Sequence, residues 1–85
     1  MKSSITEEFR DAFARLPKNI QGQARKAYRK FQESPGYPGL HFKKIHARRE
    51  IYSIRITQNY RALGILQDDE IIWFWIGSHA EYNQV

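Results

Sequence analysis

The feature that most constrains the fold of this chain is a change in hydrophobic period close to Gly39. Before Gly39, apolar residues recur every three or four positions in two stretches, as in amphipathic helices. After it, apolar and polar residues alternate, as in half-buried strands. The two helical stripes comprise Ile5, Phe9, Ala12, Phe13 and Leu16, then Ile20, Ala24, Ala27, Tyr28 and Phe31. The pattern predicts an α+β fold in which a hairpin of two N-terminal helices packs on a sheet.

Capping and turn signals predict where the two helices begin and end. Ser4 followed by Glu7 fits a capping box at the start of the first helix, and Pro17 is expected to stop that helix. The second helix is expected to begin after Asn19. It is expected to end at the Ser-Pro-Gly break of residues 34–36.

The remainder of the chain predicts a four-stranded antiparallel sheet. The expected strands are Leu40–Lys43, Ile51–Thr57, Tyr60–Leu66 and Glu70–Gly77, with a turn at Asp68-Asp69. The last strand has an unbroken apolar run, so we expect it to be central and covered on both faces. Strict alternation places Trp73 and Trp75 on one face and Phe74 on the other. Core filling explains these three rings better than stacking on nucleobases.

Length and charge narrow the class of protein. An 85-residue chain predicts one domain spanning residues 1–85. Residues 15–61 hold twelve Lys or Arg and two acids, against a net charge of +5 for the whole chain, which favours a polyanionic partner. Nucleic acid is the first candidate and an acidic protein the second. A solvated helix face and sheet edge is the simpler explanation for the helical part of this charge.

Cysteine usage and hydropathy exclude several kinds of protein. The chain has no cysteine, which excludes a disulfide framework, a thiolate zinc site and a cysteine nucleophile, and agrees with a reducing, cytoplasmic location. No apolar run is long enough to span a bilayer and no signal peptide is apparent, so no membrane association is expected. The spacing of His41, His46 and His79 does not form a metal-binding pattern.

Two arginines are expected to face each other across a hairpin. A three-residue loop over Thr57–Asn59, with Asn59 in the left-handed region, pairs Arg55 with Arg61. Directly opposed like charges destabilise a sheet, and a phosphate between the guanidinium groups would reverse that cost. Two alternatives stay open. A two-residue loop would break the pairing, or both side chains would point into water.

A second group of polar residues follows the last strand. His79, Glu81 and Tyr82 lie just beyond a rigid element and could supply proton-transfer groups, although a histidine in such a tail is more often structural or exposed. Lys43, Lys44, Arg48 and Arg49 flank the first strand and its turn. Charged residues at a sheet edge discourage pairing with another sheet, and this role explains their presence without RNA binding.

From about residue 38 to residue 82 the chain resembles the RelE/ParE-type toxins of bacterial type II toxin–antitoxin modules. The similar segments are residues 40–44 (LHFKK), 51–56 (IYSIRI), 59–64 (NYRALG) and 73–82 (WFWIGSHAEY). In this family two N-terminal helices precede a four-stranded antiparallel sheet, which agrees with the element order above.

The RelE-like branch implies a metal-independent, ribosome-dependent mRNA endoribonuclease that needs no cofactor. The resemblance implies that Arg61 binds the scissile phosphate and that Arg55 shares the transition-state charge. It implies that His79 is a general acid or base and that Tyr82 orients or activates the 2′-hydroxyl or stacks on a base. The RNA-binding residues expected with these are Lys43, Lys44, His46, Arg48 and Arg49. The implied partners are the ribosome, mRNA and a cognate antitoxin in a hetero-oligomer.

Some residues depart from the family pattern. Ser53 stands where some members have a second catalytic lysine, and Asn83 stands where an acidic residue is common. Val85 follows soon afterwards and leaves little room for a C-terminal helix. Two other functions stay open: a ParE-like toxin that poisons DNA gyrase without its own chemistry, and a degenerate module that only binds its partner.

Overall fold

The computed structural model of the chain describes residues 1–82, and of Tyr82 it describes only the backbone. In this part of the chain three helices and five strands form. They are β1 (Lys2–Ile5), α1 (Glu7–Ala14), α2 (Lys18–Glu33), β2 (Lys43–Lys44), β3 (Ile51–Thr57), β4 (Tyr60–Gln67), β5 (Glu70–Ser78) and α3 (His79–Tyr82). The predicted α+β class, with α1 and α2 packed on a sheet, is confirmed. No described helix is long and apolar enough to cross a membrane.

The sheet differs from the prediction in its number of strands and in its edges. It has five strands in the order β1-β5-β4-β3-β2, and β1 pairs in parallel with the first half of β5. The N-terminal strand has little apolar alternation to reveal it, because Ser3 and Ser4 occupy its middle. The strand expected over Leu40–Lys43 is wrong for its first three residues, since β2 covers only Lys43–Lys44. Leu40 ends a 3₁₀ turn and His41 is left-handed with φ 48°, so pairing begins at Lys43.

The start of α1 corrects the predicted capping box. Thr6 is the N-cap, and its Oγ1 accepts a hydrogen bond from the amide of Phe9 at 3.1 Å. Ser4 belongs to β1, where it pairs with Ile72. The helix ends at Ala14, ahead of Pro17, which is the N-cap of α2. α2 thus begins slightly earlier than expected and ends at Ser34, as predicted.

The main core lies between the two long helices and one face of the sheet. Phe31 of α2 is fully buried, and its ring makes edge-to-face contacts with Phe42 and Trp73 at centroid distances of 5.1 and 5.2 Å. Ile54, Ala62 and other small or branched residues from the strands complete this layer. The α2 stripe is buried at Ala24, Ala27 and Phe31, whereas the first stripe packs against the core only partly, through Phe9, Ala12, Phe13 and Leu16. Its first residue, Ile5, belongs to β1 and is exposed, so the helical pattern was wrong at that position.

A β-bulge in β5 changes which face its aromatic rings occupy. Leu63 pairs with Trp75 and Gly64 pairs with Trp73, so Phe74 is the extra residue of the bulge. Trp73 therefore faces the helices, whereas Trp75 points to the opposite face. The expectation that both tryptophans share one face is wrong, because strict alternation does not hold across a bulge. We call the surface opposite the one that packs against α2, which carries Ser53, Arg55, Arg61, Leu63 and Trp75, the helix-free face.

Candidate functional site

The two arginines predicted to face each other do so on the helix-free face. Arg55 of β3 is directly opposite Arg61 of β4, and both side chains are half-buried. Within the described residues neither forms a salt bridge with a carboxylate. The Nη1 atom of Arg61 donates to the carbonyl oxygen of Thr57 at 3.2 Å, which turns its guanidinium toward the tip of the hairpin. The arrangement is a positively charged site whose guanidinium groups could bind an anionic ligand.

The hairpin reaches this register by a different route from the one predicted. Thr57 pairs with Tyr60, so the loop contains only Gln58 and Asn59. An irregularity between Arg55 and Thr57 inserts one extra residue into β3 and restores the opposition of the two arginines. Asn59 is not among the described residues with positive φ. The prediction of the pairing is confirmed, and that of the three-residue loop is wrong.

His79 directly follows β5 and lies beside the same hairpin. Ser78 pairs with Tyr60, and the amide of His79 donates to the carbonyl oxygen of Asn59. This bond ties the first residue of α3 to the loop that follows Arg55 and precedes Arg61. The imidazole is exposed. The structure therefore brings the backbone of His79 to the arginine end of the sheet.

The turn that carries His79 is held by a capping box that sequence reasoning missed. The Oε1 atom of Glu81 accepts from the amide and the hydroxyl of Ser78, both at 3.0 Å, and the amide of Glu81 donates to the hydroxyl of Ser78 at 3.2 Å. The Ser-x-x-Glu spacing of residues 78–81 was the signal. These hydrogen bonds, from the backbone first and the hydroxyl second, hold the pKa of the Glu81 carboxyl below its ordinary value of 4.5. Glu81 thus remains an ionised cap at neutral pH, which argues against a proton-transfer role.

Acidification is expected to loosen this tail. Because the pKa of Glu81 is lowered on folding, its stabilising contribution is complete above the ordinary value of 4.5 and is lost as the pH falls through the lowered pKa. The protection factor of the Ser78 amide, measured by NMR hydrogen exchange from about pH 7 to about pH 3, should fall only in the acid range. Glu81→Gln keeps an accepting oxygen without a titratable charge and should show no such step. An equal acid step in that variant would contradict the assignment.

The five residues predicted to contact RNA do not form one cluster. Lys43 pairs with Ser53 and shares the helix-free face with the arginines. Lys44 projects to the other face, where its Nζ lies 3.4 Å from a carboxylate oxygen of Glu50. Neighbouring residues of a strand point to opposite faces, which separates these two lysines.

The loop before β3 holds the other three predicted RNA-binding residues. The Nδ1 atom of His46 accepts from the amides of Arg48 and Arg49 at 3.2 and 3.1 Å, so the imidazole closes a small turn. Arg55 is four residues beyond the start of β3 at Ile51. That separation is about 13 Å at roughly 3.3 Å per residue. The loop and the arginine pair are therefore at opposite ends of β3.

Two buried residues form the floor of the helix-free face. Ser53 and Leu63 are each 2% exposed and are directly paired. They continue a row from Lys43 on one side to Trp75 on the other. A position with a second catalytic lysine in some RelE-like proteins is thus a buried serine here, and Lys43 is its cross-strand neighbour.

The tail beyond Glu81 is only partly described. Tyr82 is the last residue of α3, and its side chain lies outside the described part of the chain. Asn83 also lies outside it. Among the described residues, no group of three or more histidine, aspartate or glutamate side chains is arranged to hold a metal ion.

A separate groove lies on the helical side of the sheet. It has a volume of about 290 Å³, apolar walls, and three arginines in its lining, Arg10, Arg25 and Arg29. The guanidinium carbon of Arg25 lies 5.1 Å from the ring centroid of Phe13, across the space between α2 and α1. Trp73 also lines the groove, and its buried Nε1 has no hydrogen-bond partner within the described residues.

Comparison with known proteins identifies the family of this chain. Residues 18–84 match the model of the ParE-like toxin domain. The fold is similar to a chain of the RelB–RelE antitoxin–toxin complex from Methanococcus jannaschii, with a TM-score of 0.76 and 21% identity over 94% of each chain. It is also similar to YafQ from E. coli, with a TM-score of 0.76 and 8% identity over 95% of this chain and 96% of that one.

A third similar structure is the YoeB/ParE toxin from Agrobacterium tumefaciens, with a TM-score of 0.72 and 15% identity over 93% of this chain and 99% of that one. Among curated protein sequences, none matches this chain significantly. At these identities the three structures establish the fold alone. The family model covers most of the chain, from the start of α2 to the tail, and the chain therefore belongs to the ParE-like toxin domain family.

Proposed function

We propose that this protein is the toxin of a type II toxin–antitoxin module and that it cleaves mRNA on the ribosome. The observation that carries the proposal is the pair of half-buried arginines, directly opposed and without a carboxylate counter-charge in the described residues. A sheet tolerates such a pair at a cost of up to about 1 kcal/mol, which a bound phosphate would offset. His79, held to the same hairpin, adds an imidazole that can accept or donate a proton.

The proposed reaction is an internal transfer at one phosphate of the RNA. The 2′-oxygen forms a bond to phosphorus, the bond from phosphorus to the 5′-oxygen breaks, and a 2′,3′-cyclic phosphate remains. The proton of the 2′-hydroxyl goes to a general base, and a general acid gives a proton to the leaving 5′-oxygen. Arg61 and Arg55 would bind the phosphate and stabilise the extra negative charge of the transition state. His79 would serve as the acid or the base, with Tyr82 orienting the 2′-hydroxyl.

A cognate antitoxin is the partner expected from this proposal. The similar structure from M. jannaschii is a complex of an antitoxin with a toxin. We infer an acidic antitoxin segment that covers Arg55, Arg61 and the tail in a hetero-oligomer in the cytoplasm. The arginine-lined apolar groove offers the same kind of partner a second contact, because acidic and apolar side chains would both be matched there.

Lys43 is expected to add to the phosphate-binding charge, and Lys44 is its matched control. Lys43→Ala should lower the cleavage rate about three- to tenfold and reduce the salt dependence of binding by about one unit of log–log slope, because one phosphate contact is lost. Lys44→Ala should leave both unchanged, since Lys44 faces away and pairs with Glu50. Rates measured on programmed ribosomes at several salt concentrations test this. Equal losses in both variants would contradict the separation of the two lysines.

The proposed function is tested by two assays on the same purified protein. Toeprinting on translating ribosomes should reveal new mRNA 5′ ends, and a gyrase assay should reveal no trapped DNA cleavage. The match to a ParE-like domain makes gyrase poisoning the second candidate, and the opposite pair of results would establish it. A protein that is inactive in both assays but binds an acidic antitoxin would be a partner-binding module only.

A further inference from the structure

The indole of Trp75 lies in a different environment from the other tryptophan. Trp73 is 1% exposed and fills the core, whereas Trp75 is half-buried on the helix-free face. Trp75 is directly opposite Leu63 in the sheet, and two residues further along β5 Gly77 is directly opposite Arg61. The bulge at Phe74 brings the ring to the arginine side of the sheet. Core filling therefore accounts for one tryptophan and not for the other.

The ring of Trp75 extends along β5 toward the arginine row. A Cβ atom placed on Gly77 would lie 2.7 Å from Cζ2 of Trp75 and 3.0 Å from Cη2. The six-membered part of the indole thus lies over Gly77, in space that only glycine leaves open. Since Gly77 pairs with Arg61, the ring is about one strand spacing, roughly 5 Å, from the backbone of that arginine. An aromatic surface and a phosphate-binding cation are therefore adjacent on one face.

We propose that Trp75 is a base-stacking residue for the nucleotide next to the phosphate held by Arg61. The inference rests on the proposed function, because it assumes that RNA reaches the helix-free face. Every nucleobase has an apolar face, so this contact would strengthen binding with little preference for base identity. A role limited to covering Leu63 would need an apolar side chain but no aromatic ring. The two roles therefore predict different results.

The test combines a protein change with an RNA change on programmed ribosomes. Trp75→Leu should lower kcat/KM roughly 10- to 100-fold, mainly through KM, and Trp75→Phe should retain most of the activity. Removal of the base next to the scissile phosphate should cost the wild type a similar factor. In Trp75→Leu the abasic RNA should cost nothing further, because the same contact is already lost. Thermal unfolding of each variant controls for folding.

A direct binding measurement separates failure of this inference from failure of the proposed function. In a Trp73→Phe background Trp75 is the only indole, and its fluorescence should be quenched by an uncleavable 2′-O-methyl RNA but not by the abasic analogue. The stacking role alone would be overturned if the wild type cleaves normally and the losses caused by Trp75→Leu and by the abasic RNA multiply. It would also be overturned if Trp75→Leu has no effect on cleavage. Quenching without cleavage would retain the stacking role and overturn the nuclease. Absence of both would overturn the two proposals together.

Discussion

Arg61→Ala is expected to lower mRNA cleavage by about 10²- to 10³-fold while the protein stays folded. The magnitude is that of removing one preorganised group that stabilises negative charge in a transition state. The substitution should not destabilise the fold, because it also removes the repulsion between Arg61 and Arg55. Primer extension on programmed ribosomes measures the first effect. Urea unfolding followed by circular dichroism measures the second.

Matched variants make this prediction specific. Arg49→Ala removes an equal charge from the loop at the other end of β3 and should change cleavage less than threefold, as expected for an exposed charge. Arg61→Lys keeps the charge but loses the planar fork, and should fall between the two. If Arg61→Ala and Arg49→Ala cleave equally well, the arginine pair is not the phosphate site.

Phe31→Ala is expected to lower the free energy of unfolding by about 3–5 kcal/mol. Phe31 is fully buried, and its ring joins α2 to Trp73 of β5 and to Phe42, which precedes β2. Domains of this size have a total stability on the order of 5–15 kcal/mol, so this loss is a large fraction of the total and should shift unfolding to a much lower urea concentration. Urea titration at low temperature, followed by circular dichroism at a helical wavelength, measures the loss.

Phe31→Leu is the control for this substitution. It keeps most of the buried volume and should cost less than about 1.5 kcal/mol with the m-value unchanged. A loss below about 1 kcal/mol in Phe31→Ala would contradict the assignment of this ring to the centre of the core. Both Phe31→Ala and Arg61→Ala should weaken growth arrest, and the unfolding curves distinguish the loss of stability from the loss of the phosphate-binding group.

The extent to which the sequence predicted the site follows from the range of the interactions involved. The opposition of Arg55 and Arg61 could be predicted, because a hairpin is local and the apolar alternation of both strands selects its register. The length of the loop could not be predicted, since a two-residue loop with one extra residue in β3 gives the same pairing as a three-residue loop. Two compensating irregularities leave no separate trace in the hydrophobic pattern.

The tail illustrates a signal that was present but given another meaning. Glu81 has the right residue type for proton transfer, but its distance from Ser78 is also that of a capping box. In the structure the carboxylate of Glu81 forms the cap, which leaves His79 as the proton-transfer candidate among the described residues of the tail. Local spacing alone could not choose between the two roles, because both use an acidic side chain on the first turn of a helix.

By itself the sequence determined the α+β class, the limits of α2 to within two residues, and the arginine pair. These depend on periodicity and on turns, which act over a few residues. Only the tertiary structure decided that β1 adds a parallel edge strand, that Lys43 and Lys44 lie on different faces of the sheet, and that Trp75 lies on the same face as the arginines. The physical reason is that strand pairing and bulges are selected by contacts between distant parts of the chain. A one-residue shift within a strand transfers a side chain from the core to the opposite face.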